Sequence, residues 1–261
     1  MAAWILLRGL LRDSRHWGSF TDAFKKAFPS DDVIALDLPG CGILNGQTSP
    51  ASIAEMVECY RAQLGQQGKP APYKILAVSM GAMVSAEWSL RYPQEIAAQV
   101  LINTSMRPFS PFYQRLRPSH VIPLLHLLLR RSSDRTWEEY IWRATCNTSH
   151  DSVVSDWAGY RHQFPVRIKN AIRQLLAAGW YRAPSHAPQA PTLILVSAQD
   201  RLVNAQCSIT LVNRWNVPLA IHPTAGHDLP RDDEKWVLER VDEWMQSGFS
   251  PSVPRAHSRG H

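Results

Sequence analysis

Six short apolar runs, separated by segments of a different period, constrain this chain more than any other feature. Residues 3–7, 33–36, 73–78, 99–102, 192–196 and 219–222 are near-continuous stretches of Val, Ile, Leu and Ala, short enough for strands and apolar enough to be buried on both faces. Between them the apolar residues recur at helical spacing. Trp17, Phe20, Phe24 and Ala27 share one helical face, as do Ile53, Val57, Tyr60 and Leu64, and later Val237, Val241 and Trp244. Strands alternating with helices pair in parallel through right-handed crossovers. The expected fold class is therefore α/β, a doubly wound and mostly parallel sheet of about six strands with helices on both faces. Sheets of this kind place their sites at the carboxyl ends of the strands.

The alternation stops once. Residues 104–190 contain no convincing strand but hold helix-like segments at 121–129, 136–146 and 166–178. An insertion at this point would sit above the carboxyl edge of the sheet as a helical lid. Residues 1–103 and 191–247 are then the core, 104–190 the lid, and 248–261, rich in Ser, Pro and basic residues, a disordered tail. At 261 residues and 45 % hydrophobic, the chain is long enough for one large core carrying a smaller unit.

Charge is uneven. Of the net +6, residues 104–190 hold twelve Lys and Arg against five Asp and Glu, which is +7, so the remainder is close to neutral. A basic segment is most often a solvated face; its other readings are nucleic acid, an anionic membrane surface or an acidic partner. Nothing points to nucleic acid. The run VIPLLHLLL at 121–129 falls far short of the roughly 20 apolar residues that span a bilayer, and reads as lid core. No transmembrane segment is expected, and the N-terminal run meets Arg8 too early for a signal peptide. Cys41, Cys59, Cys146 and Cys207 show no metal-ligand or paired spacing and read as free thiols of a cytoplasmic protein.

The chemistry concentrates at three strand ends. In KILAVSMGAMV, Ser79 ends a buried run and is followed by Met80 and Gly81, where small neighbours allow a sharp strand-to-helix turn. Asp200 directly follows the run TLILV with its next few residues, and His227, preceded by Gly226, follows the last run. Singly, each has an ordinary role: a serine or aspartate caps a helix and a histidine fills a core. Together, a hydroxyl, an imidazole and a carboxylate on one sheet edge are the parts of an activated serine nucleophile. Asp228 competes as the acid, but side chains of adjacent residues diverge, which favours Asp200.

These residues, in the chain order Ser, acid, His, resemble the α/β-hydrolase fold family with a helical lid, over roughly residues 1–245. The family pattern G-x-S-x-G reads Ala77-Val78-Ser79-Met80-Gly81 here, with alanine for the first glycine. ALDLPGCG at 35–42 resembles the D-x-P-G-x-G loop, with Asp37 structuring that loop. Where the family often has His-Gly before an oxyanion donor, this chain has Arg8-Gly9-Leu10, so the resemblance implies the backbone N–H groups of Leu10 and Met80 as the oxyanion hole. Arg8 itself either orients the loop, meets an anionic substrate or forms a structural salt bridge. The family's first hairpin is missing, leaving six strands.

The resemblance implies a serine carboxylesterase using Ser79, Asp200 and His227, with no cofactor and no metal. The overall plan is similar to the esterases that cleave pimeloyl-carrier methyl esters. An acyltransferase or thioesterase using the same triad, and a non-catalytic binding protein on the same scaffold, are the alternatives. A cationic rim of Arg107, Arg115, Arg117, Arg130 and Arg131 beside the apolar run suits a small-molecule or acyl-carrier ester whose acyl chain hangs on an anionic group, such as an acidic carrier protein or a lipid headgroup.

Overall fold

The computed structural model describes residues 2–129, 132–148 and 151–249. β1 (Ala3–Leu7) is buried along its whole length and pairs in parallel with β2 (Val33–Leu36) on one side and β3 (Tyr73–Val78) on the other. β4 (Ile96–Ile102), β5 (Thr192–Ser197) and β6 (Leu219–His222) continue from β3, giving one six-stranded sheet of order β2-β1-β3-β4-β5-β6, parallel at every pairing.

Because successive strand residues face opposite sides, β1 splits between two cores. Ile5 and Leu7 join Ile75, Ala77, Leu101, Ile194 and Val196 under α2 (Ile53–Gln66), α3 (Met80–Arg91) and α9 (Gln206–Trp215). Trp4 and Leu6 join Leu76, Val100, Ile102 and Leu195 under α1 (Phe20–Ala27) and α11 (Glu234–Gln246). The helical faces read from the sequence are the buried ones, with one correction. Trp17, Phe20 and Phe24 are fully buried, but Ala27 ends α1 and is exposed, and Phe28 packs on that face instead. A second correction concerns the edges: β2 and β6 are only partly covered, and Ile221 is 48 % exposed, because an outer strand has a neighbour on one side only.

Between β4 and β5 the chain forms α4 (Phe112–Arg115), α5 (Val121–Leu129), α6 (Asp134–Thr145), α7 (Asp151–Gln163) and α8 (Ile168–Trp180). The predicted segments correspond to α5, α6 and α8. α7 escapes a periodicity reading because its buried apolar contribution is thin: Val154 and Trp157, which meet Trp142 and Cys146 of the α6 region in a small separate core. The short α10 (Leu229–Asp232) follows the loop after β6. Arg130, Arg131 and residues 250–261 of the expected tail lie outside the described residues, whereas Phe249 stacks edge-on against Trp244. The four cysteines are free. Among the described residues no helix is long and apolar enough to cross a membrane.

Candidate active site

Ser79 sits between β3 and α3 with φ 57° and ψ −116°, a conformation disfavoured for any residue with a Cβ. Its surroundings hold it there. Its N–H donates to Ile102 O at 2.9 Å, and its carbonyl accepts from Ala82 N and from Thr104 Oγ1, both at 3.1 Å. Glycine at position 81 is a steric necessity: a Cβ would lie 2.6 Å from Leu7 O and 2.7 Å from Arg8 O, both backbone atoms. The start of α3 can therefore press against the end of β1. The Ser79 hydroxyl makes no capping bond to α3, so the ordinary role of a serine at a helix start is not the one it plays.

The carboxylate of Asp200 is 2 % exposed and fixed at both oxygens. Oδ1 accepts from the N–H groups of Leu202 at 2.8 Å and Val203 at 2.9 Å, leaving Oδ2 for His227 Nδ1 at 2.7 Å. With Nδ1–H donated to Asp200, the Nε2 lone pair of a neutral His227 is free to accept a proton. Burial works against the imidazolium, but the Asp200 carboxylate outweighs it and holds the His227 pKa above the ordinary histidine value.

Asp228 does something different. Both its oxygens face Arg8, at 2.9 and 2.5 Å, and the guanidinium also lies 4.7 Å over the Trp17 ring. Both residues are nearly inaccessible, at 5 % and 4 %. Burial alone would raise the Asp228 carboxyl, yet Arg8 keeps it below its usual value. Of the readings open for Arg8, the structure has the salt bridge, and the same pairing turns Asp228 away from His227. Asp37 accepts from Ser14 N at 2.7 Å and Ile43 N at 3.2 Å, and so ties the 35–42 loop as expected.

Several supporting residues were not read from the sequence. Asn103, at the end of β4 with φ 47°, bonds Ser197 through both amide atoms and donates to His227 O at 2.8 Å, joining two strand ends to the histidine loop. Its one sequence signal is a polar residue closing an apolar run at the same edge. Arg117, expected in the cationic rim, instead donates from Nη2 to Asp200 O at 3.0 Å, and Arg115 of the same set donates to Ala178 O and Gly179 O at the end of α8. The helices between β4 and β5 also reach the histidine loop: Thr145 O, at the end of α6, accepts from Asp228 N at 2.8 Å, and Asp232 accepts from both Asn147 N and Gly226 N. Gly226 has no room for a side chain, since a Cβ would stand 2.6 Å from Thr145 O.

Two cavities meet at Ser79. One, of about 400 Å³, is lined by Ser79, His227, Leu10 and apolar residues of α5, α6 and α8. The other, of about 780 Å³, is lined by Ser79, Met80, Leu10 and Met83 together with Arg107, Arg115 and Arg182. The backbone N–H groups of Leu10 and Met80 are not taken up by any other described residue. Among the described residues no cluster of His, Cys, Asp and Glu could hold a metal ion.

A family model described as the alpha/beta hydrolase family matches residues 4–240. The chain belongs to that family. A search of curated proteins finds no match. Among solved structures this α/β hydrolase is similar to a thermophilic esterase from Thermogutta terrifontis, at 18 % identity and TM-score 0.73 over 96 % of this chain and 91 % of the other. It is also similar to the serine hydrolase CCSP0084 from Cycloclasticus zankles, at 14 % identity and TM-score 0.74 over 96 % and 92 %. A hydrolase from Oleispira antarctica, at 18 % identity and TM-score 0.73, covers 94 % and 91 %. At such identities the likeness is one of fold, and one fold hosts many chemistries. Family membership supports a hydrolase; the bond it cleaves has to be argued from the site.

Proposed function

We propose that this α/β hydrolase cleaves carboxylic esters through an acyl-enzyme formed on Ser79. His227 takes the hydroxyl proton as Ser79 Oγ attacks the ester carbonyl, and the amides of Leu10 and Met80 receive the oxyanion. As the intermediate collapses, His227 returns that proton to the departing alcohol. Water then attacks the acyl-enzyme by the same route and releases the acid. Asp200 fixes the imidazole tautomer and stabilises its charged form. No cofactor enters these steps.

One observation carries the reading. A strained serine, free of any capping duty, opens into the same cavity as a histidine whose other ring nitrogen is bonded to a buried, doubly anchored carboxylate. The inserted helices act in this reading as a lid, since α5 and α8 line both cavities above Ser79. The apolar linings favour a small-molecule ester with an alkyl acyl or alcohol part, and an ester on an acyl carrier has the same alkyl part. The free cysteines accord with a cytoplasmic setting.

The test is fluorophosphonate labelling together with a panel of p-nitrophenyl esters of increasing chain length, run on wild type and Ser79→Ala. Labelling and turnover that vanish in the variant support the reading. An unlabelled wild type would make the chain a binding protein, and faster transfer to an added alcohol or thiol than to water would make it an acyltransferase.

A further inference from the structure

α8 is built inside out. Its polar residues Asn170 and Gln174 are buried, at 3 % and 0 %, and bond to Ser49 N at 3.0 Å, to Ser49 Oγ at 3.0 Å and to Leu11 N at 3.0 Å. Its apolar residues Ile168, Ile172, Leu175, Leu176 and Trp180, which share one helical face by spacing, are 46–76 % exposed; Ile168, Ile172 and Leu175 border the cavities at Ser79, while Leu176 and Trp180 line neither. Helices of globular proteins show the reverse arrangement. The anomaly is regional. Thirteen large apolar side chains stand exposed among the described residues, and ten of them lie on α4, α5 and α8, with Phe112 at 83 % and Ile122 at 77 %. The patch surrounds the site, because Phe112, Val121, Leu125, Ile168, Ile172 and Leu175 also line the two cavities that meet at Ser79. A concentration of exposed apolar side chains around a cavity marks an interaction surface.

Charge identifies what the surface meets. Residues 96–133 and 157–199, which carry α4, α5 and α8, contain no Asp or Glu at all; every acidic residue of the insertion is on α6 or α7. Arg167 and Lys169 flank one end of α8, and Arg107 and Arg182, paired through their backbones, lie beyond its other end. These four side chains are exposed and have no carboxylate partner among the described residues. A second copy of the chain would oppose the same cations with nothing to neutralise them. An acidic protein would answer the charge but leaves unexplained an apolar face spread over three helices.

We infer that the exposed apolar border that α4, α5 and α8 form around the cavities docks on an anionic lipid surface, its apolar side chains entering the acyl layer and the nearby cations meeting lipid phosphates, so that the cavities open toward the membrane.

Flotation of the full chain with vesicles tests this without reference to turnover, and Ser79→Ala protein serves equally well, so a failed esterase assignment leaves it standing. The protein is expected to float with vesicles of equimolar phosphatidylcholine and phosphatidylglycerol, more weakly as salt is raised to about 0.5 M. Trp180 fluorescence should shift to the blue on binding. The double variant Ile122→Glu/Trp180→Glu should lose binding while keeping wild-type turnover of a soluble short-chain ester, since neither residue lines a cavity. Replacing Arg167 and Lys169 by Gln should weaken binding by roughly 30-fold, at about fivefold per cation. Unchanged circular dichroism and Tm in each variant exclude misfolding as the cause. Equal flotation with pure phosphatidylcholine, no flotation, a dimer in sedimentation that the double variant dissolves, or binding only to an acidic acyl-carrier protein would each overturn the inference.

Discussion

The sheet edge that carries Ser79, Asp200 and His227 and the apolar side chains of α5 and α8 border one cavity, yet they obey opposite rules. At the edge, the buried carboxylates are paired: Asp200 by two amides and an imidazole, Asp228 by a bidentate arginine. On α5 and α8, apolar groups are exposed, and Arg107, Arg167, Lys169 and Arg182 near them have no carboxylate partner among the described residues. Buried polar groups are tolerated only when fully paired, because desolvation is otherwise uncompensated. Exposed apolar groups cost a monomer in water little individually. The contrast teaches that the two regions should respond to substitution in different observables, catalysis and stability for one, association for the other.

The strongest way to break that contrast is at Ser79. Ser79→Ala should lower kcat by on the order of 10⁶ with an unchanged melting curve, the scale of losing a serine nucleophile that acts with its base as a unit. Retained turnover would end the proposed mechanism. Next, Asp200→Asn should lower kcat by on the order of 10⁴. Asp228→Ala should instead act mainly on stability, by about 3–5 kcal/mol in denaturant unfolding, because Arg8 would be left buried and unpaired. If Asp228→Asn harmed kcat more than Asp200→Asn, the acid would be the wrong one.

Tryptophan gives a comparison on one side-chain type. Trp157→Ala, at 2 % exposure in the α6–α7 core, should cost about 3–5 kcal/mol. Trp180→Ala, at 76 % exposure, should change stability by no more than about 0.5 kcal/mol. Similar losses at both would show that α8 is packed against something in the monomer. The smallest effect is in pH. Since only neutral His227 acts as base and its pKa is raised, the rising limb of kcat/KM should have its midpoint above the ordinary 6.5. In Asp200→Asn what remains of that limb should move to lower pH, because burial is then no longer outweighed.

The sheet was legible because its strands are short apolar runs, fully buried in the middle and only partly covered at β2 and β6: all six runs became strands, and their order put the three candidate residues on one edge. What one-dimensional pattern could not give was pairing across the chain. Arg8 and Asp228 are two hundred and twenty positions apart, and Arg8 read as an oddity until its partner was in place. Asn103 acts through its side-chain amide and Thr145 through its backbone carbonyl, neither of which a hydrophobic pattern reports. α8 was legible as a helix, but which of its faces turns inward was not, since periodicity reports a stripe and leaves its direction open. α7 was missed because two buried side chains make too short a stripe.

The hydrogen bonds around Thr145 and Asp232 bear on how this enzyme could be rebuilt. Asp228 N bonds to the last carbonyl of α6, while Asn147 N, Thr148 N and Gly226 N converge on one carboxylate, Asp232. The stretch around residues 145–148 thus serves as a bracket for the loop bearing His227 although it belongs to the insertion. A chimera that exchanges the whole insertion for a relative's would unseat the imidazole. One that keeps α6, α7 and this bracket, and exchanges only α4, α5 and α8, would change what the molecule approaches while leaving its chemistry in register.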